Sequence, residues 1–155
     1  KTIQKSITYI QIAIFALLLG GCQPSPSSAI ERVLNQCAKN SERVNNSNMS
    51  AAQAASFLAS EMQKMDTRNC PPEFRVVFQQ HINAWRDASG AFAQNTTLNN
   101  FLEGFAAGFF QDPSFLGASQ NNAAIAAYNI NATYNELVSI AAAHGARVPE
   151  SIVKY

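Results

Sequence analysis

The chain carries two histidines, three cysteines and ten carboxylates that could do chemistry, and their spacing assembles few of them. His81 stands one helical turn before Trp85 in an apolar seam. A neutral imidazole there could ligate a metal or haem, or act as a pH-sensitive contact. The plainer alternative is a core histidine whose ring nitrogens are satisfied by neighbouring polar groups. His144 closes the last apolar seam. Two histidines do not complete a structural zinc site, no E-x-x-H pattern accompanies them, and no C-x-x-C-H offers a c-type haem attachment. Met62 and Met65 would suit a Met/His haem site but serve more simply as core fillers. G-x-S-x-G, H-E-x-x-H and Gly-rich phosphate loops do not occur. Glu31, Glu61, Glu73, Asp87, Glu103 and Glu136 are scattered singly, as on solvated helix faces, although a pair could still meet in space. The expectation is a protein that is not an enzyme, with no metal and no cofactor. The alternative is a carrier or sensor holding a small ligand between helices near His81 and Trp85.

The amino terminus is more specific. Lys1 and Lys5 precede a mostly apolar run, Ile7 to Leu19, broken only by Thr8, Tyr9 and Gln11. A bilayer span needs about 20 apolar residues, so this run reads as a signal-peptide core. With Lys at position 1, the natural sequence is expected to begin slightly upstream. The run ends in Leu18-Leu19-Gly20-Gly21-Cys22, which resembles the lipobox of bacterial lipoproteins. The resemblance implies lipid attachment at Cys22, cleavage before it and acylation of the new amino terminus. Gln23, in place of Asp, implies sorting to the outer membrane, facing the periplasm. Several acyl chains anchor firmly, each buried CH₂ adding about 0.8 kcal/mol. The expected organisation is a signal peptide over 1–21, a Pro/Ser tether over 22–28 and one helical domain over 29–155.

Once Cys22 is lipidated, Cys37 and Cys70 are the two cysteines left. In an oxidising periplasm an even pair predicts a disulfide, and closing a loop of about 33 residues would contribute roughly 3–4 kcal/mol. A reactive thiol pair or a metal site is the alternative, without C-x-x-C spacing to support it.

The 155 residues allow one domain, and 47% of them are hydrophobic, enough for a core without a metal or a dense disulfide framework. A formal net charge of +1, with no Lys/Arg cluster, argues against nucleic acid as a partner. Only 14% of residues are charged; 15 Asn and 11 Gln supply an amide-rich surface instead. In this setting the sequons at Asn48, Asn95 and Asn131 are expected to be chance matches.

Helical periodicity recurs and strand alternation does not, predicting an all-α antiparallel helical bundle of four long helices plus one short helix. A capping box at Ser28-Ala29-Ile30-Glu31 opens the first, to about Asn45, with Ile30, Val33, Leu34, Cys37 and Val44 inward. Ser50 to Gln53 opens the second, with Ala51, Ala55, Leu58, Met62 and Met65 at 4-3-4-3 spacing. Pro71-Pro72-Glu73 starts the third, whose seam is Phe74, Phe78, His81, Trp85, Ala88 and Phe92. A short helix over 98–111 ends at Asp112-Pro113. The last runs from about Ser119 to His144, with Ala123, Ala127, Ile130, Tyr134, Leu137 and Ala141 inward and Gly145 past its end.

The short helix is the least ordinary segment. Phe101 to Phe110 is strongly apolar and contains Gly104-x-x-x-Gly108, a spacing that permits close backbone approach. Either it folds over the bundle against a large side chain such as Trp85, or it presents a docking surface. In the second case Phe105, Phe109, Phe110 and Phe115 are the partner contacts.

The stretches CPPEFRVVFQQHINAW (Cys70–Trp85) and INATYNELVSIAAAHGARVP (Ile130–Pro149) are similar to a loose, uncharacterised group of small exported helical bacterial proteins. The shared features are Cys-Pro followed by an aromatic residue, a His three residues before Ala-Trp, and a closing helix ending in Gly. The resemblance implies that Cys70, His81 and Trp85 are a structural signature of disulfide, buried polar contact and core aromatic. It implies no activity. The combined expectation is a membrane-anchored, non-catalytic interaction or accessory module whose partner is another envelope protein.

Overall fold

Pro26 sets where the first helix begins. Its fixed φ suits a first turn, and its missing N–H is one that no helix start can satisfy internally. Ser25 is the N-cap, its Oγ accepting from the Ser28 N–H at 3.2 Å. Helix α1 therefore spans Pro26–Asn45, starting earlier than the expected capping box at Ser28-Glu31. Residues 26–28, expected to belong to the tether, form its first turn.

The computed structural model describes residues 25–93 and 121–149. Within these, α1 is followed by α2 (Ala51–Gln63), α3 (Pro72–Ala93) and α4 (Asn121–Ala143), and there is no strand among the described residues. The chain is all-helical there, in four helices. The short helix expected over 98–111 lies outside the described residues. No helix among the described residues is long and apolar enough to cross a membrane.

Local sequence accounts for the other helix ends. Ser50 and Gln53 form the reciprocal capping box that their spacing predicts, with Gln53 N–H to Ser50 Oγ at 3.3 Å and Ser50 N–H to Gln53 Oε1 at 2.9 Å. At the end of α4, Gly145 has φ +68°. Its N–H bonds to the Ala142 carbonyl at 3.0 Å, and the Ala146 N–H bonds to Ala141 at 2.9 Å, which together make a Schellman motif. A Cβ on Gly145 would meet nothing within 4 Å. The cost of Gly145→Ala is therefore that of the left-handed backbone alone, an expected loss of about 1–2 kcal/mol in urea unfolding. An unchanged midpoint would show that the turn tolerates relaxation to another conformation.

The apolar seams become the core. Ile30, Val33, Leu34, Leu58, Met62, Phe74, Phe78 and Leu137 share one buried cluster. A second, built largely from alanines with Phe92 and Ile130, joins α2, α3 and α4. The small alanine side chains let α3 approach both α2 and α4 closely, and Trp85 packs against both clusters. Helices α3 and α4 run antiparallel: Glu73 meets His144 at one end, and His81 meets Thr133 farther along. Beyond Gly145 the chain is tied back to α1 by the Arg147 N–H donating to Glu31 Oε1 at 2.9 Å.

Candidate functional site

The 4-residue spacing of His81 and Trp85 places both on one side of α3, and the structure links them directly. Trp85 Nε1–H donates to His81 Nε2 at 3.0 Å, and the rings meet edge-on with centroids 6.2 Å apart. An indole nitrogen can only donate, so His81 Nε2 must accept and the ring proton sits on Nδ1. There it faces Thr133 Oγ1 of α4 at 2.8 Å. The Thr133 hydroxyl passes the chain on to the carbonyl of Asn129 (2.8 Å) or Ile130 (3.0 Å). Tyr134 also lies beside the imidazole, with ring centroids 6.2 Å apart and the planes tilted by 43°.

His81 is 7% exposed. Burial pulls its pKa down to about 4, against the opposing pull of the hydrogen bond to the Ile130 backbone. The imidazole is neutral at physiological pH with both nitrogens engaged, so it clasps α3 to α4. It has no lone pair left for a metal or for proton abstraction unless the Trp85 bond breaks. Of the readings open in the sequence, the satisfied core histidine is the one the geometry matches.

The cysteines do not pair. Cys37 and Cys70 are both free thiols, in contrast to the expected disulfide. Cys37 lies in the middle of α1 and directs its sulfur to Met65 Sδ at 3.9 Å. Cys70 sits in the turn before α3, buried, with its N–H bonded to the Thr67 carbonyl at 2.9 Å. Burial pushes the Cys37 thiol up to about 12. It also raises Cys70, where the charges of Arg32 and Arg75 oppose the effect and that of Asp66 adds to it. Neither is a thiolate nucleophile at neutral pH. Tyr134 is also raised to about 12, by burial first and by Cys37 second, and its phenol oxygen is buried with no hydrogen-bond partner.

The carboxylates serve the surface. Glu73 accepts from His144 Nε2 at 2.8 Å; its own backbone N–H first and His144 second hold its carboxyl below the usual range. Asp66 is lowered by two-pronged pairing with Arg68, at 2.9 Å on both oxygens. Such exposed pairs contribute little each. Cys22 and the partner-contact residues Phe105, Phe109, Phe110 and Phe115 lie outside the described residues. Exposed apolar side chains are present elsewhere: Val76 on α3, and Ile125 with Tyr128 one turn apart on α4.

One contributor is not singled out from sequence as a site residue: Thr133 falls outside the apolar seam of α4. A hydroxyl one residue before a seam tyrosine was the available signal for Thr133. No protein-family model matches the chain, and no match appears among curated proteins or solved structures.

Proposed function

We propose that this chain is a bacterial envelope lipoprotein, acylated at Cys22 and held at the outer membrane facing the periplasm. Its helical domain is a non-catalytic interaction or accessory module for another envelope protein. The observation that carries the reading is the order of residues 1–22: basic start, short apolar run, two glycines and cysteine. The domain is an antiparallel bundle of four long helices with a short fifth helix in 98–111, and Phe105, Phe109, Phe110 and Phe115 anchor the partner. The exposed Ile125 and Tyr128 on α4 support a contact role. The second reading, a small-ligand carrier at His81 and Trp85, has weaker support, because the His81 nitrogens and the Trp85 N–H already bond within the domain.

Native mass spectrometry of the protein extracted from its own membranes in mild detergent tests the reading. The expected spectrum shows acylation at Cys22 and a co-purifying protein. Cys22→Ser is expected to lose the acyl mass and leave the outer-membrane fraction. A bare mass for the unsubstituted protein would overturn the anchor, and a small-molecule adduct in place of a protein would favour the carrier.

A further inference from the structure

The start of α1 sets how close the domain stands to Cys22. The helix begins at Pro26 with Ser25 as its N-cap, so only Gln23, Pro24 and Ser25 separate Cys22 from the bundle. Four steps along the chain reach roughly 14 Å at most. With Cys22 acylated, the reading on which this inference rests, one end of the bundle stays within that reach of the lipid headgroups.

Contacts within the domain show which residues share that end. Arg32, in the second turn of α1, donates through Nη2 to the Asp66 carbonyl in the turn after α2 at 3.1 Å. Glu31 holds the Arg147 N–H beyond α4, and Glu73 at the start of α3 holds His144. Four exposed arginines therefore gather there from four separate segments: Arg32, Arg68, Arg75 and Arg147. The carboxylates they meet are engaged already. Glu31 accepts from the Arg147 backbone, Asp66 from Arg68 and Glu73 from His144. No ion pair to Arg32, Arg75 or Arg147 occurs among the described residues. The arginines nearer the opposite end differ. Arg43 lies over Phe57 and pairs with Glu61, and Arg86 donates to Asn83 and Gln63.

We propose that the end carrying Arg32, Arg68, Arg75 and Arg147 is a membrane-contact surface on which the bundle stands upright, its guanidiniums bonded to headgroup phosphates. A guanidinium fork matches phosphate oxygens with paired N–H donors. Close to an anionic leaflet each arginine strengthens the contact about fivefold. Because α3 and α4 are antiparallel, Ala93 and Asn121 then lie at the far end, with the exposed Ile125 and Tyr128 close by. The apolar side chains of α4 are left facing away from the lipid, where a partner can reach them.

Hydrogen exchange of the acylated full chain tests this, in vesicles of phosphatidylethanolamine and phosphatidylglycerol against a neutral maltoside detergent. In vesicles the amides of 66–70 and 144–147 are expected to exchange about fivefold more slowly or better. Those of 46–50, at the other end, should exchange equally fast in both. Arg32→Gln, Arg68→Gln, Arg75→Gln and Arg147→Gln combined should restore the detergent rates, with acyl mass and helical signal unchanged. The comparison of the two ends needs no substitution, so it stands even where that variant fails to fold. An acylated chain with no slowing at 66–70, or with slowing at 46–50 instead, overturns the upright stance alone. Slowing that survives in the folded, acylated four-arginine variant overturns the phosphate contacts. A bare mass at Cys22 overturns the lipoprotein reading and this inference together.

Discussion

Acidification from pH 6.5 to pH 4 is expected to remove about 3 kcal/mol of folding stability through His81 alone. The ordinary value of 6.5 applies to the unfolded imidazole, and the folded one is lowered to about 4. Between those values the unfolded chain binds the proton and the folded chain does not. Stability therefore rises with pH: the contribution is complete above 6.5 and is lost as pH falls towards 4, at about 1.4 kcal/mol per unit. The geometry gives the same sign. Protonation would put a second N–H on Nε2, directly opposite the Trp85 N–H that it now accepts at 3.0 Å.

The depressed carboxylates act in the same direction but lower on the pH scale. Glu61, Glu73 and Asp66 all have ordinary values at or below 4.5, so their stabilisation fades only as pH falls below that region. The interval from 6.5 to about 5 isolates the histidine. Urea unfolding of the full chain at half-unit pH steps should show the slope there, and His81→Gln should remove its share of it. A flat profile in the unsubstituted chain would mean that the folded imidazole takes up its proton as readily as the unfolded one.

The largest single-residue effect is expected at Phe74. Its side chain is 0% exposed and stacks on Phe78 with ring centroids 5.8 Å apart and planes 13° from parallel. It lies in the first turn of α3, in the cluster that joins α1, α2 and α4. Phe74→Ala removes that burial and leaves a void, at an expected cost of about 3–5 kcal/mol. Small domains have only about 5–15 kcal/mol in total, so the variant should sit near its unfolding midpoint in mild denaturant. Val76→Ala, two residues on and 58% exposed, should stay within about 0.5 kcal/mol. Equal midpoint shifts for the two variants would contradict the core drawn around Phe74.

Much of the fold was legible because its cues are local. Ser50 and Gln53, Pro72 and Gly145 each act on a neighbouring peptide group, so their helix ends follow from residue type and spacing. The seams were equally readable. Ala55, Leu58 and Met62, then Phe74, Phe78, His81 and Ala88, are all buried as a 3.6-residue period demands. The start of α1 was read one turn late, because two competing serine caps stand close together and Pro26 favours the earlier one.

Pairing across helices is another matter. Periodicity says which side of a helix faces inward, but not how far one helix slides or turns against its neighbour. That offset brings His81 to Thr133, 52 residues away, and turns a possible ligand into a helix clasp. It also directs Cys37 to Met65, leaving Cys70 unpaired. The helical composition, the inward faces and the chemical character of residues 1–22 were determined by the sequence alone, all set by neighbours along the chain. Only the tertiary structure decided which polar and sulfur atoms meet, because angstrom-scale contacts depend on the relative placement of helices far apart in sequence.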